Sequence, residues 1–258
     1  MRRRLAALAL LPLLACGSSR VSITGEIRYG TTAEENYQAG VDEAKAERWE
    51  EASKLFEYVK TKFPFSKQAA LADLKLADIK FSQELYTEAA AAYQAFGQLH
   101  PSHEQADYAK YRVGLALFRD APSDFVLFPP PHEKDQRPLR EAAKALDAFI
   151  AAWPKSQFVP EAEKELGALH GRLAEHEWYA AGFYASREKW AGAAGRLETL
   201  LKQHPGSPRE VDALFKLAEA YEKMGERFRA QQALQKLLAT HPDDPRRPEA
   251  ERRLAALR

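Results

Sequence analysis

Apolar and polar residues are spaced along most of this chain as they are in amphipathic helices, and a proline interrupts that spacing at five similar places. At each place an amphipathic segment ends, an aromatic residue or a histidine follows, and the proline comes next. Stretches rich in valine, isoleucine and threonine, which are typical of strands, are nearly absent. Because proline cannot continue a helix, the pattern predicts an all-α chain of five helical units. The prolines are Pro64, Pro101, Pro154, Pro205 and Pro242.

The five units also share residue sizes at fixed distances before the proline: alanine twelve positions earlier, and bulky apolar residues eight and five positions earlier. A small residue lets the two helices of a unit cross at close range, and bulky residues fill the space between neighbouring hairpins. The spacing resembles the tetratricopeptide repeat, a helix–turn–helix unit of about 34 residues. It implies a right-handed α-solenoid of five tetratricopeptide-like helix-turn-helix repeats; the alternative is an unrelated helical bundle. The alanines are Ala52, Ala89, Ala142, Ala193 and Ala230, and the first helices carry Gly40, Ala77, Gly114, Ala181 and Ala218 at their crossing points.

The array is irregular in the middle, because the successive prolines are 37, 53, 51 and 37 residues apart. An insertion at residues 121–140 holds five prolines and explains the first excess. A lengthened first helix, from about residue 160 to residue 186, explains the second. The sequence therefore predicts repeats 1–2 in residues 32–102, repeat 3 in 103–159, repeats 4–5 in 160–243, and a C-terminal capping helix in 244–258.

The amino terminus has the features of an export signal. Three arginines precede an apolar run at residues 5–14, which is shorter than the roughly 20 residues that span a bilayer. The run ends in Leu13-Leu14-Ala15-Cys16, which resembles a lipobox. Residues 1–15 are thus expected to be removed, Cys16 to be lipidated with palmitate, and residues 16–31 to form a tether. The alternative is an ordinary secretory signal with an accidental cysteine. Gly17, where some lipoproteins carry aspartate, favours the outer membrane, on its periplasmic face.

Charge and motifs exclude several classes of function. The 38 basic and 37 acidic residues nearly cancel, which argues against a nucleic-acid-binding protein. The sequence contains neither a phosphate-binding Gly-x-x-x-x-Gly-Lys loop nor a Gly-x-Ser-x-Gly elbow. His170 and His176 lie six positions apart on one helix and should point to different faces. We therefore expect no cofactor, no metal site and no enzymatic activity. The alternative from this class, a lytic enzyme built on a helical solenoid, would need a catalytic carboxylate in a deep cleft, and nothing in the pattern points to one.

Aromatic residues gather at two places outside the repeat positions. Phe63 and Phe65 bracket Pro64, and a group on the long helix comprises Trp178, Tyr179, Phe183 and Tyr184. Most of these rings are expected to be core between repeats. Some could line the concave groove with which solenoids bind extended peptides.

Four segments together resemble one family, the BamD (YfiO/ComL) lipoproteins of the β-barrel assembly machine. The similarity extends over about residues 32–243 and includes the insertion and the long helix, so it is more specific than the repeat alone. The segments are KFPFS, HPSHEQADYAKYRVGLALF, EKDQRPLREA and LAEHEWYAAGFYASREKWAGAAGRLETLLKQHP.

The resemblance implies a non-enzymatic scaffold and substrate receptor of the β-barrel assembly (BAM) complex, which helps to fold and insert β-barrel proteins into the outer membrane. The amino-terminal repeats would receive unfolded barrel substrates. The carboxy-terminal repeats would bind the periplasmic domains of a BamA-like barrel protein through Arg196, for which the alternative is a solvated helix charge. Another tetratricopeptide lipoprotein scaffold, pilotin-like or a cell-division coordinator, is the alternative function. The candidate substrate groove comprises Tyr37, Phe63, Phe65 and Phe81.

Overall fold

The computed structural model describes residues 27–121 and 131–257, whose regular structure is helical throughout. The signal segment, Cys16, most of the tether and residues 122–130 of the insertion lie outside the described residues. No helix of the described part is both long and apolar enough to cross a membrane. The helices are α1 (Ala33–Lys45), α2 (Trp49–Lys62), α3 (Lys67–Ser82), α4 (Tyr86–Leu99), α5 (Ala106–Asp120), α6 (Arg137–Ala152), α7 (Val159–Ala185), α8 (Trp190–Gln203), α9 (Glu210–Lys223), α10 (Arg227–Thr240) and α11 (Arg247–Ala256), with a 3₁₀ turn at Pro131–Glu133 between α5 and α6.

Each helix packs against the next one in the chain, in an antiparallel manner, so that successive pairs form five hairpins. The first helices of successive hairpins also touch, α1 against α3 and α5 against α7, as they do when hairpins stack side by side. The helix α11 follows the fifth hairpin and packs on α10. This arrangement confirms the prediction of an all-α solenoid of tetratricopeptide-like repeats. The lengthened helix of repeat 4 is also present, because α7 has 27 residues.

The residues that define the repeat form the core. All five alanines twelve positions before a proline are fully buried, and every bulky residue eight or five positions before it is at most 1% exposed. Burying one such large apolar side chain contributes about 1.5–3 kcal/mol. The bulky residues are Phe56, Tyr93, Leu146, Leu197 and Leu234 at the first position, and Val59, Phe96, Phe149, Leu200 and Leu237 at the second.

Two glycines show how closely the helices of a hairpin cross. A Cβ atom on Gly40 would lie 2.8 Å from the Phe56 ring, and one on Gly114 would lie 2.6 Å from Leu146 Cδ2. Both distances are shorter than real Cβ contacts allow. The predicted crossing point is therefore confirmed at both positions, and only glycine leaves room there for the bulky residue of the second helix.

The residue before each proline ends the second helix, and it is a histidine in three repeats. Its backbone N–H donates to the carbonyl four residues earlier. His100 Nε2 lies 3.6 Å from Asp73 Oδ2, and His241 Nε2 lies 3.8 Å from Glu210 Oε1. In repeat 4, however, His204 meets a second histidine, since its Nδ1 lies 2.9 Å from Nδ1 of His170 on α7. One ring must donate the proton of this bond and the other must accept it.

The paired histidines should make repeat 4 sensitive to acid. Burial, followed by the charges of His170 and Arg140, lowers the pKa of His204 to about 4 from its ordinary value of 6.5. As the pH falls from 6.5 towards about 4, the unfolded chain binds a proton on His204 that the folded chain does not, so the free energy of unfolding falls. We expect the free energy of unfolding to drop by about 1–2 kcal/mol more between pH 7 and pH 5 in the native protein than in His204→Gln. Urea unfolding at both pH values measures this difference, and equal pH dependence in the two proteins would contradict it.

Candidate partner-binding surfaces

The four predicted groove residues occupy separate places in the first two repeats. Tyr37 lies on α1, half-buried, with its ring 5.5 Å from that of Phe56. Phe63 directly follows the last residue of α2. Its ring packs edge-to-face with that of Tyr58, and the two ring centroids are 6.1 Å apart. Tyr58 in turn stacks on Tyr29, close to where the described chain begins, at 4.2 Å.

Phe65 and Phe81 differ in how much of their surface is free. Phe65 stands in the turn between α2 and α3 and is fully exposed, at 102% of its reference surface. Phe81 is half-buried in the last turn of α3, and its edge-to-face contact with Tyr86 spans 5.1 Å. Arg112 of the next repeat lies over the Phe81 ring at 3.9 Å. The rings of Tyr37, Phe63 and Phe81 thus contact other side chains, and the structure does not gather the four residues into one cluster.

Arg196, the predicted BamA-facing residue, carries an ion pair. Its Nη1 donates to Glu177 Oε2 at 3.2 Å, across the α7–α8 hairpin. The Glu177 side chain is only 10% exposed, whereas that of Arg196 is 42% exposed. Arg196 is therefore a partly free cation with one edge fixed against a nearly buried carboxylate, which differs from a fully solvated helix charge.

A cleft lies along the long helix α7. The aromatic residues singled out in the sequence form only part of its lining. The cleft has a volume of about 750 Å³ and is lined by rings from α7 and by three cations, one just after α7, one just before α9 and one on α9. Tyr179 and Phe183 are 44% and 47% exposed, so these two rings belong to the minority that the sequence left free to line a groove. Trp178 is half-buried against the core of repeats 4 and 5. The lining cations are Arg187, Arg209 and Lys216, of which Arg187 lies 3.6 Å above the Phe183 ring.

The end of the insertion forms one wall of this cleft. Tyr179 donates its hydroxyl proton to Glu133 Oε1 at 2.7 Å, and His176 Nδ1 donates to the carbonyl of His132 at 2.6 Å. The His132 and Tyr179 rings are 4.4 Å apart. Hydrogen bonding to Glu133 raises the pKa of Tyr179, which keeps the phenol protonated. The two irregular parts of the sequence, the insertion and the lengthened helix, therefore meet at one place.

Ion pairs with the spacing of one repeat join the first helices of the last repeats. Arg209 donates to Glu175 at 2.7 Å, and Arg246 donates to Asp212 at 2.6 Å; each pair is 34 residues apart. Because the same position recurs in consecutive repeats, these pairs keep α7, α9 and α11 in register.

Repeats 2 and 3 share a polar network that the sequence pattern did not reveal. The hydroxyls of Tyr93 and Tyr108 both donate to Asp78 Oδ1, at 2.7 and 2.8 Å. Burial, together with the charge of Asp78, raises the pKa of both tyrosines, so both remain neutral donors. Arg112 lies beside the two rings. Asp78 is one of several charged residues on α3, so nothing in the sequence marked it out for this role.

His170 and His176 point to different partners, as predicted, since one contacts His204 and the other contacts the carbonyl of His132. Across the two described segments, no group of three or more histidine, cysteine, aspartate or glutamate side chains could hold a metal ion.

Comparison with known proteins identifies the family. The sequence profile of YfiO, described as an outer membrane lipoprotein, matches residues 30–237. The chain is 27% identical over 238 residues to the outer membrane protein assembly factor BamD of Neisseria meningitidis serogroup A, covering 91% of this chain and 89% of that protein. It is 28% identical over 227 residues to the protein of the same name from Haemophilus influenzae, covering 86% of each. A solved structure of the TPR2AB domain of yeast Sti1 covers 87% of this chain and 82% of its own, at a TM-score of 0.44 and 15% identity. Since the profile covers most of the chain, the protein belongs to the YfiO family of outer membrane lipoproteins.

Proposed function

We propose that this protein is a scaffold and substrate receptor in the machinery that assembles β-barrel proteins into the outer membrane. The match of the YfiO family profile to residues 30–237 carries this proposal, because it covers all five hairpins up to the last turn of α10. The BamD relatives, which are assembly factors, are similar over most of their length. In this role the protein works by binding, without enzymatic activity.

The membrane contact in this proposal is a lipid anchor on Cys16. An anchor there would place the array at the periplasmic face of the outer membrane, within reach of a short tether. The residues between Cys16 and the start of α1 could extend to about 55 Å at 3.3 Å per residue. Partners must then lie close to that surface, as a barrel protein with periplasmic domains would. Incorporation of labelled palmitate into the native protein, followed by membrane fractionation, tests the anchor.

Depletion of the protein tests the proposed function directly. We expect the amounts of β-barrel proteins in the outer membrane to fall while the amounts of other lipoproteins stay normal. Quantitative immunoblotting or mass spectrometry of purified outer membranes measures both groups in one sample. Unchanged barrel levels after depletion would refute the assignment to β-barrel assembly.

Affinity capture separates this function from that of another lipoprotein scaffold. The native protein, solubilised from membranes in mild detergent, should bring with it a large outer-membrane barrel protein that carries periplasmic domains. Recovery of pilus or cell-division components in its place would favour the alternative.

The substrate-receiving surface is proposed to lie on repeats 1 and 2, around Tyr37, Phe63, Phe65 and Phe81. Phe65 supports this placement because a fully exposed phenylalanine in a tight turn contributes nothing to the core. Exposed aromatic side chains of this kind are typical contact residues in binding surfaces.

Phe65→Ala should leave the free energy of unfolding within about 0.5 kcal/mol of its native value, because the side chain is not packed. Binding of an unfolded barrel-protein segment should weaken by about three- to ten-fold, equivalent to roughly 0.7–1.4 kcal/mol. Fluorescence anisotropy with a labelled segment measures the affinity. The matched control is Phe228→Ala, because Phe228 is 69% exposed on α10, far along the chain from repeats 1 and 2. Equal weakening by both substitutions would place the receiving surface elsewhere.

A further inference from the structure

Arg112 on α5 is a half-buried cation surrounded by aromatic rings. Its Cζ lies 3.9 Å from the centroid of the Phe81 ring, and 5.3 and 5.5 Å from the rings of Tyr93 and Tyr108. Cations over ring faces are attracted to the negative charge of the π-system. The three rings therefore hold the guanidinium at the junction of repeats 2 and 3.

No anion of the described chain neutralises this guanidinium. The nearby carboxylate, Asp78, is already used: Tyr93 and Tyr108 donate to Oδ1, and Lys75 donates to Oδ2 at 2.9 Å. Because Lys75 is the ion-pair partner of Asp78, this carboxylate is not a counter-charge reserved for Arg112. Within residues 27–121 and 131–257, Arg112 forms no ion pair, and its Nε is buried without a hydrogen-bond partner.

The same helix offers a direct comparison. Arg119, seven residues later on α5, forms an ordinary ion pair with Glu165 of α7 at 2.9 Å. Burying a charge without an opposite charge is unfavourable, and an apolar side chain of similar length would suit the ring-lined position of Arg112 better. An arginine that destabilises the fold in this way has a reason to be there if a ligand supplies its opposite charge.

We propose that Arg112, stacked on Phe81, is a binding subsite for a carboxylate of an extended peptide. The planar guanidinium fork matches a carboxylate in two parallel hydrogen bonds, which a point cation cannot make. Arg112, Phe81 and Tyr108 each keep part of their surface exposed, so a ligand can reach them. Phe81 also belongs to the proposed substrate surface. The subsite rests on that proposed function and deepens it, because it names the chemical group of the substrate that is recognised.

The test compares Arg112→Met with Arg119→Met in the full mature chain. The probe is a fluorescein-labelled ten-residue peptide with alternating polar and apolar residues, one internal aspartate and a free C-terminal carboxylate. By fluorescence anisotropy, Arg112→Met should bind it about ten-fold more weakly than the native protein, while its Tm is equal or higher. Arg119→Met, which removes the same charge from the same helix, should keep native affinity.

Two altered peptides identify which carboxylate is bound. The first altered peptide has a C-terminal amide. If it binds the native protein and Arg112→Met with equal affinity, the subsite takes the chain terminus. The second has asparagine in place of aspartate. If this peptide binds the two proteins with equal affinity, the subsite takes an acidic side chain. Native-like binding of the probe by Arg112→Met would overturn the subsite and leave the proposed receptor function intact. Failure of the native protein to bind any of the three peptides would overturn both.

Discussion

Replacing Gly114 with valine should lower the free energy of unfolding by about 3 kcal/mol. A Cβ atom at this position would lie 2.6 Å from Leu146 Cδ2, 2.8 Å from Leu146 Cγ and 3.2 Å from the backbone nitrogen of Leu146. Leu146 is fully buried in the core of repeat 3, so its side chain has no free space into which to move. The backbone contact means that α5 and α6 must separate. Urea unfolding followed by circular dichroism measures the loss.

Gly97→Val on α4 is the matched control for this prediction. The substitution is the same and the residue is again inside a helix, but nothing lies within 4 Å of the added Cβ. Valine and glycine have similarly modest helix propensities, so the change in Gly97→Val should be within about 0.5 kcal/mol. The difference between the two variants isolates the helix crossing. Similar stabilities for both would show that the crossing at Gly114 is looser than the structure indicates.

The repeat architecture could be predicted because each unit is specified by local residue sizes. The five alanines and the ten bulky residues after them are spaced by the geometry of one helix crossing another. A residue such as Ala142 therefore reveals its role without knowledge of any distant contact. The lengthened α7 could be predicted for the same reason, since its helical pattern is continuous along the chain.

The binding surfaces were less predictable because they depend on contacts between distant positions. Tyr179 meets Glu133 across 46 residues, so the sequence could not show which rings of the long helix are core and which form an exposed cleft wall. Arg112 and Phe81 belong to different repeats, and neither occupies a diagnostic repeat position. The sequence could name Phe81 as a candidate, but only the structure shows the cation that lies over it. The proposed role of Arg196 still rests on the family resemblance, and the structure adds its ion pair with Glu177.

Arg196→Ala should weaken capture of the barrel partner by about 30-fold, equivalent to roughly 2 kcal/mol, if Arg196 faces that partner as proposed. The Arg196 side chain is 42% exposed, so an acidic group of the partner can reach its guanidinium. The same substitution also leaves the nearly buried Glu177 without its cation, which should destabilise repeat 4. Binding to the partner's purified periplasmic domains, measured by isothermal titration calorimetry, must therefore be compared with stability.

Two companion variants separate partner contact from internal support. Glu177→Gln keeps Arg196 and a neutral acceptor, so it should bind the partner with near-native affinity. The double variant Arg196→Ala, Glu177→Gln removes the unpaired buried charge, and it should regain much of the stability that Arg196→Ala loses. Its affinity should nevertheless stay about 30-fold low, because the group that meets the partner is still missing. Recovery of affinity together with stability in the double variant would show that Arg196 acts only on Glu177, and the partner-facing surface would have to be sought elsewhere on repeats 4 and 5.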